Sequence, residues 1–231
     1  MKKTLLSLIL CTVCLGLWAQ KSFDLPRFHA LSNETAADLV IQMGASQSVR
    51  AEGPAQAIDR LRLRVKNGSL EIKSEKPGRH DEIGRVTIRI TMTDLNALAT
   101  SGSGDVLLRG DFDLDGLSIA NSGSGDYQTN GQIHCPKLSL SNNGSGDIAL
   151  KGSAGEVSAV NSGSGDLNLR QFQGGKVSVV NSGSGDVAVF CEKRLSLVNN
   201  GSGDVIIYGT PTQKNVVSQG SGDVRFASAN N

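Results

Sequence analysis

The chain is short of cysteine, proline, aromatic residues and net charge. Four cysteines, two of them inside the first twenty residues, exclude a disulfide-framework domain. With 23 Lys+Arg against 22 Asp+Glu there is no electrostatic reason to expect nucleic acid or an anionic membrane as partner. Aromatics at 4% leave few side chains for stacking platforms. After residue 20 no apolar run approaches the about 20 residues that span a bilayer. No later stretch keeps a 3.6-residue period over ten positions, which excludes helix-based repeats.

The first twenty residues, MKKTLLSLILCTVCLGLWAQ, read as an export signal. Lys2 and Lys3 start it, an apolar run extends from Leu5 to Leu17, and the small Ala19 suits cleavage beside Gln20. Cys11 and Cys14 lie inside the run rather than after it, which argues against lipidation. The expectation is an exported mature chain, in the periplasm, on the outer surface or secreted, with no membrane span.

What the sequence has in abundance is glycine, 28 residues, arranged with a period. Gly-Ser-Gly-Asp begins at Gly102, Gly123, Gly144, Gly163, Gly183, Gly201 and Gly220, at intervals of 21, 21, 19, 20, 18 and 19 residues. A period near twenty marks stacked repeats. Before each unit the chain alternates, as in Leu138-x-Leu140-x-Asn142, and after it again, as in Ile148-x-Leu150. Alternation of period two means strands with one buried face. Two short strands per coil, joined at a glycine corner, describe a β-solenoid. The expected fold is an all-β, single-stranded right-handed parallel β-helix of about ten coils.

Each residue of the repeat has an expected place. The glycines should supply φ > 0 and let the backbone pass close to the core. The intervening Ser and Asp should point outward and bond the backbone. Asn121, Asn142, Asn161, Asn181 and Asn199 share the parity of the core and should bond coil to coil as a ladder. Residues 21–231 should then form one solenoid, with 21–100 as irregular capping coils and 101–231 as the repeat coils. Strand-like runs in the first part are Leu39–Ile41, Val49–Ala51, Leu61–Val65, Leu70–Ile72 and Val86–Ile90. Lys73–Arg85 is the longest polar loop. Cys135 and Cys191 should be free thiols three coils apart, about 14 Å, beyond the about 7 Å that a disulfide tolerates.

Candidate chemistry is sparse. A phosphate loop needs a helix after its glycines, and here a strand follows. His29, His80 and His134 show no metal-ligand spacing. Asp111, Asp113 and Asp115 form a local acidic run that a solvated insertion explains as well as a site does. No catalytic residues, cofactor or metal ligands are assigned. Weak calcium candidates are the repeat aspartates Asp105, Asp126, Asp147, Asp166, Asp186, Asp204 and Asp223, one per coil. Stacked about 4.8 Å apart they repel, so corner N–H bonds or shared cations must offset the repulsion.

The repeats, together with FHAL at Phe28–Leu31, DLVIQMG at Asp38–Gly44, VRAEG at Val49–Gly53 and LEIK at Leu70–Lys73, resemble the head GIN domain of auto-transporter adhesins. The resemblance runs over about residues 27–226. It implies a β-helical exported protein of Gram-negative bacteria and brings no catalytic residues with it. No C-terminal membrane barrel is recognisable in these 231 residues. The favoured function is a non-catalytic surface or periplasmic scaffold or adhesin-like binder of an unknown surface glycan or protein. The alternatives are a calcium-dependent solenoid and a polysaccharide-active β-helix enzyme.

Overall fold

The computed structural model describes residues 18–75 and 86–227. The polar loop expected at Lys73–Arg85 therefore lies mostly outside the described residues, as does the export signal up to residue 17. Strand occupies 62% of the structure and helix 3%.

The first elements are β1 (Trp18–Phe23), β2 (Ala30–Asn33), β3 (Asp38–Met43), β4 (Ser48–Pro54), α1 (Ala55–Arg60), β5 (Leu61–Lys66), β6 (Ser69–Ser74), β7 (Thr87–Met92), β8 (Ala97–Thr100) and β9 (Val106–Arg109). The repeat region adds β10 (Phe112–Asp113), β11 (Leu117–Asn121), β12 (Tyr127–Asn130), β13 (Ile133–Asn142), β14 (Ile148–Asn161), β15 (Leu167–Asn181), β16 (Val187–Asn199), β17 (Val205–Tyr208), β18 (Gln213–Ser218) and β19 (Val224–Phe226). Four of the five strand runs expected before residue 100 fall within β3 to β6, and the fifth, Val86–Ile90, overlaps β7 from Thr87 onward. The short helix α1, which no 3.6-residue period in the sequence announces, follows Pro54 and buries Ile58.

The repeat strands stack in parallel and in register. Leu117, Leu138, Val157, Val177 and Leu195 form one column, and Ile119, Leu140, Ala159, Val179 and Leu197 the next. On the far side of the corner Tyr127, Ile148, Leu167, Val187 and Val205 stack likewise. All of these side chains are buried, and the buried apolar residues form one cluster from Phe28 to Ile207. The parity read from the repeat is the parity observed.

Three details differ from expectation. The solenoid makes about six turns rather than ten. Part of the shortfall comes from β1, β4 and β5, which add no coils: β4 lies antiparallel on β7, β1 antiparallel on β4, and β5 antiparallel on β6. Further, β14, β15 and β16 each run unbroken from one Gly-Ser-Gly-Asp corner to the next, so only one sharp corner interrupts the strand per turn. The stacking order also departs from chain order. The pair β2–β3 lies between β6–β7 on one side and β8–β9 on the other. After β1 at the edge, the chain thus enters the stack at β2–β3, passes out again to complete that edge, and returns past β2–β3 with β8–β9.

Candidate binding face

The corners come first, because they decide what faces outward. No glycine of a Gly-Ser-Gly-Asp unit has positive φ. The expectation of left-handed backbone there fails, and the close-approach reason alone remains. A Cβ on any of these fourteen glycines would lie 1.8–2.1 Å from a carbonyl oxygen of the coil beneath, which no side chain survives. Each corner sits directly on the backbone of the previous one.

The first such seat is not glycine. Gly102 and Gly104 rest on the carbonyls of Thr35 and Ala37. The loop Asn33–Asp38, NETAAD, is an eighth corner written without glycine. Its register gives it away: Leu31-Ser32-Asn33 and Asp38-Leu39 match Leu140-Ser141-Asn142 and Asp147-Ile148 at the same spacing. That spacing could have identified it in the sequence. Thr35 accepts the N–H of Ala37 and donates to Asn33 Oδ1, holding the turn with its own side chain.

Inside the corner the Asn column is fully buried. Asn121 donates to Asn142 Oδ1 at 3.1 Å, and Asn181 to Asn199 Oδ1 at 3.1 Å. Elsewhere the amide nitrogens turn to glycine carbonyls, as Asn142 does to Gly146 O at 3.1 Å and Gly165 O at 3.3 Å. The ladder is therefore interrupted, and the Oδ1 atoms of Asn161 and Asn181 have no hydrogen-bond partner. Thr100 takes the Asn position in its coil, donating to Asn121 Oδ1 at 2.9 Å and meeting the Tyr127 hydroxyl at 2.7 Å. Burial pushes the Tyr127 phenol up, only partly countered by the bond to Thr100.

Outside the corner the aspartates form a second ladder. The Asp105 N–H donates to Asp38 Oδ1 at 3.0 Å, and Asp126 to Asp105, Asp147 to Asp126, Asp166 to Asp147, Asp186 to Asp166, Asp204 to Asp186 and Asp223 to Asp204 follow at 2.7–3.1 Å. All seven calcium candidates are thus brought into one column, joined by Asp38, which sequence reading missed. One oxygen of each carboxylate from Asp38 to Asp204 accepts a backbone N–H, a charge-assisted bond that offsets crowding of like charges. Among the described residues no group of three or more His, Cys, Asp or Glu converges as a metal site. His29 and His134 do not approach such a cluster, and His80 lies outside the described residues. His134 Nδ1 meets Ser153 Oγ at 2.9 Å, both outside the trough described next.

Beside the aspartate column, on the outer face of β7, β3, β9 and β12, is a trough of about 440 Å³. Its floor is Val40 and Leu107, register partners that point outward and are only half-buried. Asp38, Asp105 and Asp126 line one side; Arg89, Arg109 and Gln128 complete it. Arg89 is held by Glu52, Nε to Oε2 at 2.9 Å. Arg109 makes no ion pair among the described residues. Carboxylates that accept, guanidinium and amide groups that donate, and an aliphatic floor can hold a polar chain by hydrogen bonds without reacting with it.

The sequence profile of "Putative auto-transporter adhesin, head GIN domain" matches residues 27–211. The chain belongs to this family. No curated protein matches it. Among solved structures it is similar to a putative adhesin of Bacteroides fragilis NCTC 9343, with a TM-score of 0.87 at 22% identity over 91% of this chain and 97% of the other. A putative lipid binding protein of Parabacteroides distasonis ATCC 8503 follows at a TM-score of 0.70 and 19% identity, covering 92% and 98%. A putative adhesin of Parabacteroides merdae ATCC 43184 gives 0.65 at 17% identity, covering 92% and 97%. At these identities the likeness carries the fold. No helix among the described residues is long and apolar enough to cross a membrane.

Proposed function

We propose that this head GIN domain protein is an exported, non-catalytic binding protein, adhesin-like or scaffolding, that takes a surface glycan or protein segment on the outer face of its solenoid. The observation that carries the reading is the trough over Val40 and Leu107, where carboxylates and Arg109 flank a small aliphatic floor. Two aliphatic residues are too few to hold an acyl chain, so a polar chain fits this site better than the lipid named for one structural relative. The rigid ladder beneath suits a scaffold whose outward groups stay fixed, since preorganised contacts lose little entropy on binding.

Arrays of glycans and of peptides, probed with the purified protein in calcium and in chelator, test this. Arg109→Ala and Leu107→Asp should each abolish the strongest signal while circular dichroism stays unchanged, and chelator should leave that signal in place. Binding that survives both substitutions would move the site elsewhere, and turnover of a bound glycan would overturn the non-catalytic reading.

A further inference from the structure

The two ends of the solenoid are finished differently. At the first end, antiparallel strands cover the open edges of β6 and β7. At the other, β18 pairs with β16 and β19 with β17, and among the described residues no strand lies beyond them. The core columns run out there: Val216 is 36% exposed below a buried Leu197, and Phe226 is 45% exposed below a buried Ile207.

The backbone of this last coil is also ready to pair. Throughout the stack the outward-facing residues of the first sheet donate their N–H to the preceding coil, as Ser118 does to Asn96 O and Gln219 to Asn199 O, both at 2.9 Å. In a parallel ladder the alternate residues then face the next coil. In β18 those are Lys214, Val216 and Ser218. Exposed edges of this kind accept added strands unless something prevents it.

What stands in the way is Lys214. It occupies the column of Leu138, Val157, Val177 and Leu195, where every earlier residue is a buried aliphatic. Its ammonium crosses the open end of the core to lie 4.4 Å from the centroid of the Phe226 ring, which comes from the other sheet. The aliphatic stem covers the core end-on while the charge stays in water.

We propose that Lys214 is a gatekeeper that stops a second copy of this chain from stacking tail to tail on the last coil. The partner at issue is a second copy in a two-fold arrangement, because the open coil edge lies at the last end, whereas at the first end antiparallel strands cover β6 and β7. Such stacking would bury two ammonium groups in one core layer, and each would lose its hydration without gaining a carboxylate.

Sedimentation velocity over a range of concentrations tests the proposal on the mature chain. Wild type and Lys214→Arg should be monomeric, and Lys214→Leu should self-associate at least about tenfold more tightly. Adding Val216→Pro to the Leu variant should restore the monomer, since it removes an N–H that faces the open side and spares the ladder to β16. Lys214→Met, which keeps the stem without the charge, should behave like the Leu variant and serves if that one does not fold. A wild-type tail-to-tail dimer, a folded Leu or Met variant that stays monomeric, or association that ignores Val216→Pro would each overturn the proposal. So would loss of folding in both apolar variants, which would make Lys214 a core stabiliser instead.

Discussion

At the scale of single residues, the tightest constraint is the missing Cβ of the corner glycines. Gly144 sits 1.9 Å, counted from a would-be Cβ, from the carbonyl oxygen of Gly123, and relief would require two coils to separate. Gly110 is the contrast: its φ is +82° but nothing lies within 4 Å of the added carbon. Gly144→Ala should therefore cost more than about 3 kcal/mol, of the order of a core cavity or worse, whereas Gly110→Ala should cost about 1–2 kcal/mol of left-handed backbone strain. Urea midpoints of the two variants check the order. Tyr127 gives a pH signature. Because its folded pKa is raised above the unfolded value near 10, its contribution is fully present below about pH 10 and falls away above it, by about 1.4 kcal/mol per pH unit. Wild type should lose stability more steeply than Tyr127→Phe between pH 10 and 11, in thermal melts at matched salt.

At the scale of elements, the strands are held by two ladders of opposite quality. The buried Asn ladder is interrupted, while the outer aspartate ladder is continuous through seven N–H···Oδ1 bonds. Asp166→Ala should cost about 1.5–3 kcal/mol, the worth of a hydrogen bond to a charged group, and Asp166→Asn clearly less because an amide oxygen can still accept. The same ladder bears on calcium. If backbone donors suffice, calcium should shift the wild-type melting midpoint by no more than a few degrees, and Asp147→Asn/Asp166→Asn should not change that response. A rise above about 10 °C that the double variant abolishes would return calcium to the fold. Leu140→Asp and Val187→Asp should each unfold the protein, since both place an unpaired charge at a buried position of the core. Loss of the far-UV strand signal would be the readout.

At the scale of the whole molecule, stacking order has chemical consequences. Cys135, Ala154, Gly174 and Cys191 occupy one column, so the two thiols are three strands apart, about 14 Å. Both are free and buried, and burial pushes both thiols up. A thiol reagent at pH 8 should label neither cysteine in the native chain and both after denaturation, with no intramolecular bridge by mass spectrometry. The trough exists for a related reason. Its floor joins Val40 to Leu107, 67 residues apart in the chain, because β3 is inserted between β7 and β9.

Period, parity and column membership were all legible in the chain itself. Leu, Val, Asn, Gly and Asp recur at fixed offsets, and a repeat that must bury one face against its own copies has few other ways to fold. The resemblance to the head GIN domain rests on those residues together with the upstream runs Phe28–Leu31, Asp38–Gly44, Val49–Gly53 and Leu70–Lys73. Tertiary structure decided the rest, for reasons local pattern cannot carry. The corner glycines are required by the coil beneath them rather than by their own φ, and only stacking reveals that carbonyl. NETAAD carries no glycine to mark it as a corner, because at Thr35 and Ala37 a side chain is tolerated. The place of β2–β3 inside the stack, and with it the trough, depends on pairing between strands far apart in sequence, where nothing in the chain order says which edge is free. Lys214 reads as an ordinary surface lysine until its register with Leu195 puts it at the end of the core.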